Sequence, residues 1–257
     1  MNVKKDWWKG FFDETYLITD ARSVMDPDLT KREADLVEDF LRLNKSEKIL
    51  DLCGGHGRHS IEFARRGYKD LTVLDYSDYL IKLGRRKARE IGADIRFICQ
   101  DARDTKLKKD DYDTVFIMAN SFGYSSIESD NIKLLKETHR VLKSGGKFLL
   151  DLADSDYIRE NLKPVSWHEA NEDIIVCRKR ELKSDIIRAR EIVVSKKKGL
   201  IRDERYCERL YARDKISRIL KDIGFKNVAA KKEISLHKKK TDYGFLTSRM
   251  IVTAKKS

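Results

Sequence analysis

Residues 51–60, "DLCGGHGRHS", follow Lys48-Ile49-Leu50 and hold three glycines among Cys53, His56 and His59. The stretch reads either as a metal clip or as a glycine loop shaped around a small molecule. The three potential ligands stand three residues apart, but a closed zinc site wants four and no second local cluster completes it. His59 also falls inside the helix pattern directly after the loop. The phosphate-loop spacing G-x-x-x-x-G-K-[ST] is absent. Gly55-x-Gly57 opens a dinucleotide fingerprint, yet Ser60 stands where a third glycine is required. A side-chain-poor bend remains between a strand and a helix, with the acidic Asp51 just before it.

Outward from the loop, five short apolar runs each close on a polar residue: "KILDL" at Asp51, "LTVLD" at Asp75, "IRFICQD" at Asp101, "DTVFIMAN" at Asn120 and "KFLLD" at Asp151. Such runs predict strands buried on both faces. Helix patterns lie between them: "RHSIEFARRG" to Gly67, "SDYLIKLGRRKAREIG" from the cap Ser77 to Gly92, and "DNIKLLKETHRVLKSGG" to Gly145-Gly146. Alternation at this pitch predicts a right-handed parallel α/β sheet, whose ligands bind beyond the carboxyl ends of its strands. A helix is also expected over residues 28–43, where Thr30 and Glu33 have capping-box spacing. After Asp151 the rhythm breaks into charge-alternating strands over 164–211, an antiparallel insert. A helix stopped by Gly224 and two terminal strands complete the chain.

With 257 residues, 40% of them apolar and two prolines, the chain is expected to fold and to bury a substantial core. No uninterrupted apolar stretch approaches the roughly 20 residues of a membrane helix. The charged start "MNVKKD" and four cysteines without a C-x-x-C pair predict a cytoplasmic protein. Charge is divided unevenly: residues 1–161 carry 29 Lys and Arg against 30 Asp and Glu, and residues 162–257 carry 26 against 13. The basic runs "CRKRELK", "SKKKG" and "HKKK" read as solvated faces or as a platform for an anionic partner.

The ordered motifs resemble the class I S-adenosylmethionine-dependent methyltransferases. "ILDLCGGHGRHSIEFARRGY" is similar to their first motif and "VLDYSDYLIKLGRRKA" to their second. "FICQDARD" looks like the adenine-binding segment, "YDTVFIMANSFGY" like the fourth-strand motif and "HRVLKSGGKFLLDL" like the turn before the fifth strand. The likeness covers roughly residues 45 to 155. It implies a Rossmann-like seven-stranded sheet with an antiparallel β insert before the last helix. The implied organisation is an N-terminal helical lid (1–45), a cofactor domain (46–155 and 212–257) and a basic insert over the active site (156–211).

The implied cofactor is S-adenosylmethionine, with no metal. Gly54, Gly55 and Gly57 let the backbone approach the methionine part of that cofactor. Asp51 faces its ammonium, Asp75 its ribose hydroxyls, and Tyr76, Asp101 and Ala102 its adenine. Arg58 or Arg103 would pair with its carboxylate, and Asn120 would border its methionine moiety. His56 is expected to be an exposed loop residue. No catalytic residue is assigned.

No D/N-P-P-Y/F/W segment stands at "ANSFGY", which lowers nucleobase amines as acceptors. "NSFGY" and the acidic "SSIESDNIKLL" after it resemble small-molecule enzymes such as glycine and sugar-amine N-methyltransferases, so the expected reaction is methyl transfer to N or O of a small metabolite. Tyr16, from the aromatic run "DWWKGFFDETYL", together with Tyr124, Arg209 and Tyr211, is the expected acceptor contact set. His168 and His237 lack local partners in the sequence. Two alternatives stay open: an RNA or protein acceptor held by the basic C-terminal part, and a non-catalytic cofactor-binding scaffold. Oligomeric state is not fixed.

Overall fold

The computed structural model of the chain describes residues 1–237 and 244–257. Part of the "HKKK" run therefore lies outside the described residues. The chain opens with three short helices, α1 (Trp8–Phe11), α2 (Glu14–Thr19) and α3 (Ala21–Val24), and a longer α4 (Pro27–Leu41). Strand and helix then alternate: β1 (Ile49–Leu52), α5 (Arg58–Arg65), β2 (Leu71–Asp75), α6 (Asp78–Glu90), β3 (Ile95–Cys99), β4 (Tyr112–Ile117), α7 (Glu128–Val141) and β5 (Leu142–Ala153). Next come α8 (Ser155–Asn161), β6 (Val165–Glu169), β7 (Ile174–Lys183), β8 (Ile186–Ser195) and β9 (Gly199–Arg209). Finally come α9 (Arg213–Ile223), β10 (Phe225–Ile234) and β11 (Arg249–Lys256).

The main sheet has seven strands in the order β10-β11-β5-β4-β1-β2-β3, and β6 to β9 form a second sheet of four. Neighbours from β3 through β5 are parallel, whereas β11 runs antiparallel to both β5 and β10. The chain order reverses between β1 and β4, which opens a crevice beyond their carboxyl ends.

Alternate residues of each parallel strand face opposite layers. Leu50, Leu52, Val115 and Ile117 pack with Leu135 of α7 and with Ile216 and Leu220 of α9. Ile49, Val73 and Phe116 pack on the other face with Val37, Phe63 and Ile81 of α4, α5 and α6. Asp51 shares the face of Ile49, and this parity carries its carboxylate toward α5.

Several boundaries differ from the sequence expectation. Asp26, not Thr30, caps α4: its carboxylate accepts from the backbone of Asp28 and Leu29, with Pro27 starting the helix. Glu33 is instead fully buried among cations. Helix α7 stops at Val141, where Leu142 turns extended and joins β5, several residues before Gly145-Gly146. The insert also holds α8 and the extra strand β6.

Candidate active site

The bend after β1 is shaped by contacts that a Cβ would destroy. At Gly54 a Cβ would stand 2.6 Å from the Asp51 carboxylate. Gly57 has φ +71° and caps α5, and a Cβ there would meet Phe97 at 2.8 Å and Val73 at 3.1 Å. Gly54 and Gly55 line a cavity of about 140 Å³, while Gly57 packs beneath the loop on β2 and β3 and does not line it. The expectation of ligand approach at Gly57 is thus replaced by a packing role. Gly57→Ala is expected to cost about 2–3 kcal/mol, from the left-handed backbone and the overpacked ring, as measured by urea denaturation.

Asp51 is buried, and its Oδ2 accepts from Ser60 Oγ at 3.0 Å, while Oδ1 has no partner among the described residues. Burial pushes its pKa up to about 7. Arg58 donates to Thr30 and to Glu33, and its buried Nη2 also lacks a partner. A carboxyl acceptor oxygen and a guanidinium donor therefore stand unpaired on two residues lining one cavity. That pair suits a ligand carrying both an ammonium and a carboxylate.

Asp75 closes β2. Its carboxylate accepts from Gly55 N at 2.8 Å and Ser77 N at 2.9 Å, which fixes it and leaves lone pairs for ligand hydroxyls. Burial raises its pKa. At the end of β3, Asp101 takes a forked pair of hydrogen bonds from Arg103, at 3.0 Å and 2.7 Å. Burial opposes ionisation of Asp101, yet the Arg103 contacts hold its pKa below the usual carboxylate value. Arg103 is further fixed by the Trp8 ring, 4.9 Å away, so it is committed to this end of the cavity. Trp8 meets Tyr76 edge to face at 4.8 Å, and both line the cavity with Asp101 and Ala102. His56 is buried, not exposed, and burial lowers its pKa to about 3.

A second cavity of about 380 Å³ lies between the N-terminal helices and the antiparallel sheet. It shares Phe12, Tyr16, Val24, Ala119 and Tyr124 with the first. Phe12 stacks on Tyr124 at 5.4 Å and meets Tyr16 edge-on at 5.0 Å, so these rings form the common wall. Asn120 lines the second cavity instead of the first. Arg209 and Tyr211 line neither: Arg209 donates to Ser126 O at 2.6 Å, and Tyr211 packs in the core 5.1 Å from Phe122. His168 lines the second cavity, with Nε2 3.3 Å from Thr19 O. His237 lines neither cavity.

Sequence reasoning missed Trp8 as an individual contact, and it missed Glu208. Glu208 is buried at the second cavity and accepts from Asn120 Nδ2 at 2.6 Å. Among the described residues no group of three or more His, Cys, Asp or Glu is arranged to hold a metal ion, and no helix is long and apolar enough to cross a membrane.

Residues 49–146 match the family described as a methyltransferase domain. The unpaired Asp51 Oδ1 and Arg58 Nη2, with Asp75 beyond them, fit the amino-acid end and ribose of S-adenosylmethionine, the cofactor that the resemblance implies. The ubiquinone/menaquinone biosynthesis C-methyltransferase UbiE of Idiomarina loihiensis is 31% identical over 128 residues, 48% of this chain and 46% of that protein. The chain spans about half the length of the curated relatives it matches. Solved structures extend the likeness of fold to nearly the whole chain. An S-adenosylmethionine-dependent methyltransferase from Clostridium acetobutylicum superposes with a TM-score of 0.74 at 19% identity, covering 95% of this chain and 97% of that one. The sugar N-methyltransferase KedS8 from Streptoalloteichus gives 0.70 at 16% identity, covering 100% and 96%.

Proposed function

We propose that the protein transfers a methyl group from S-adenosylmethionine to a nitrogen or oxygen atom of a small molecule held in the second cavity. The observation that carries this reading is the pair of cavities joined by one wall of Phe12, Tyr16, Val24, Ala119 and Tyr124. In this reading Asp51 and Arg58 hold the amino-acid end of the cofactor, Asp75 the ribose, and Tyr76, Trp8, Asp101 and Ala102 the adenine. When bound, the cofactor supplies an electrophilic methyl on a sulfonium. The chain's own contribution is orientation and exclusion of water, with residues 1–45 serving as the cover and the second sheet as the opposite wall.

Four cations of the insert are already paired with carboxylates and so offer less to a polyanion. Arg178 and Arg202 are consumed by Glu191, Asp20 and Asp13, Arg190 by Asp203 and Lys196 by Glu169. The test is incubation with labelled S-adenosylmethionine and a size-fractionated lysate, before and after nuclease. Label is expected in the small-molecule fraction; label in a nuclease-sensitive fraction would overturn the reading.

Binding is tested separately with S-adenosylhomocysteine. At 100 times its dissociation constant it is expected to stabilise the fold by about 2.7 kcal/mol. Asp75→Asn, which keeps one acceptor oxygen for the loop backbone, is expected to remove most of that gain in a thermal shift. An undiminished shift would contradict the ribose role.

A further inference from the structure

The inner face of the second sheet carries four buried charges: Arg178 on β7, Glu191 on β8, and Arg202 and Glu208 on β9. Three of them satisfy one another. Arg178 reaches Glu191 at 2.7 Å and Asp20 at 3.0 Å, and Arg202 reaches Glu191 at 3.4 Å and Asp13 as well. Glu208 has no such partner. Its only hydrogen bond among the described residues comes from Asn120 Nδ2, to Oε1 at 2.6 Å, and no cation among them lies within ion-pair reach. Asn120 is itself locked, with φ +59° and its Oδ1 accepting from Ala153 N at 2.8 Å. Its amide can only donate toward Glu208 and brings no charge.

A carboxylate taken out of water without a counter-ion is expensive, and it becomes favourable when a cation or proton donor arrives beside it. The arrival route is the second cavity, which Glu208 and Asn120 line together with Tyr16, Tyr124 and Ala119 of the wall shared with the cofactor side. Aromatic rings of Trp7, Phe12 and Tyr124 surround the same space and suit an ammonium.

We propose that Glu208 is the proton acceptor for the incoming nucleophile, and that this nucleophile is an aliphatic amine entering the second cavity as its ammonium. The proposal rests on the methyltransferase reading and names the acceptor chemistry for the same site. One N–H bond of the ammonium breaks with its electron pair left on nitrogen, and one O–H bond forms on Glu208. The neutral nitrogen then has the lone pair with which its bond to the transferred methyl forms, while the electrons of the broken S–C bond stay on sulfur. The product leaves as an N-methylammonium, carrying the charge that the sulfonium brought, and the proton on Glu208 returns to solvent.

Burial pushes the Glu208 pKa up to about 8, which makes it a stronger base than an ordinary glutamate and narrows the gap to an alkyl ammonium, about 10.4. The titratable groups beside Glu208 are Tyr124, from the loop after β4, and Cys207 on its own strand. Farther along the cavity stand His168 on β6, Arg180 on β7, Lys163 before β6, Arg22 of α3 and the paired Asp20, Arg178 and Glu191.

The test uses the full chain labelled with 13C at glutamate carboxyls, saturated with S-adenosylhomocysteine, the Glu208 signal being identified by its loss in Glu208→Gln. Glu208 is expected to titrate near pH 8. Methylammonium or cyclohexylammonium at saturation should move the midpoint down by 2 units or more. Glu208→Gln should bind these amines at least tenfold more weakly at pH 9 and bind S-adenosylhomocysteine within twofold of wild type. On the acceptor recovered from the lysate, the variant should lose about 10²–10³-fold in kcat and lose the rise of kcat/KM through pH 8. Titration near the ordinary glutamate value, or a midpoint that neither amine moves, would overturn this proposal while leaving cofactor binding intact. Failure of S-adenosylhomocysteine to bind wild type would instead remove the methyltransferase reading and this inference with it.

Discussion

Arg249→Met should cost about 3–5 kcal/mol of folding free energy, because it strands buried negative charge. Arg249 on β11 is fully buried and reaches Glu33 of α4 at 2.6 Å and Asp151 of β5 at 2.9 Å. Glu33 keeps other partners, Arg58 and His59 Nε2 at 2.9 Å. Burial opposes its ionisation, but Arg58 and Arg249, with His59, hold its pKa well below the usual value. Asp151 is the vulnerable partner. Burial already raises its pKa, and Arg249 is its counter-charge. In the variant that pKa rises further. A carboxyl whose folded pKa lies above its unfolded one is best tolerated at low pH, and stability falls as pH rises between the two values. The deficit of Arg249→Met should therefore be greatest at neutral pH and shrink on acidification. Asp151→Asn in the same chain should restore part of it. Denaturant unfolding at pH 5 and pH 8 checks this; a loss under 1 kcal/mol at pH 8 would contradict the account. The damage should reach the site, because Asp151 Oδ2 accepts from Ala119 N at 2.8 Å, and Ala119 lines both cavities.

The reach of sequence reasoning depends on where the signals lie. Strands buried on both faces must be continuous apolar runs, and a loop that admits backbone near a ligand must be poor in side chains, so β1 to β5 and the bend at Gly54 were legible. Asp51, Asp75 and Asp101 were found because strand ends are fixed by the same runs. The Glu33–Arg249–Asp151 cluster was not legible. It joins three distant elements, and Glu33 has a spacing from Thr30 that imitates a capping box, while the better start signal, Asp26 followed by Pro27, stood four residues before Thr30. The insert failed differently. In β9 both faces carry charge, so alternation defines two faces without telling which is inward, and a shift of one residue exchanges them. Arg209 was expected inward; the structure turns Glu208 inward, beside Tyr206, and Arg209 meets the loop at Ser126. Tyr211 lies beyond the strand end, where parity no longer applies, and fills the core against Phe122.

Glu208→Gln is expected to make the protein more stable at alkaline pH, by about 3–5 kcal/mol well above pH 8, with little change near pH 4.5. The sign comes from proton counting. Burial raises the folded-state pKa of Glu208 from 4.5 to about 8. Between those values the folded state holds a proton that the unfolded state has released. Stability therefore declines as pH rises through that window. A glutamine of the same shape keeps the oxygen that accepts from Asn120 and has no charge to desolvate, so this contribution to the slope vanishes. Asp51, pushed up by burial to about 7, produces a similar slope, but equally in both proteins, and the difference between them isolates Glu208. Thermal or urea unfolding of the two proteins at pH 5 and pH 9 gives the result directly. A variant less stable than wild type at pH 9, or a difference that does not change with pH, would mean that Glu208 is not an uncompensated acid. A gain confined to alkaline pH, reversed when methylammonium is added, would connect the instability to its use: a carboxylate kept without a counter-ion until an amine supplies one.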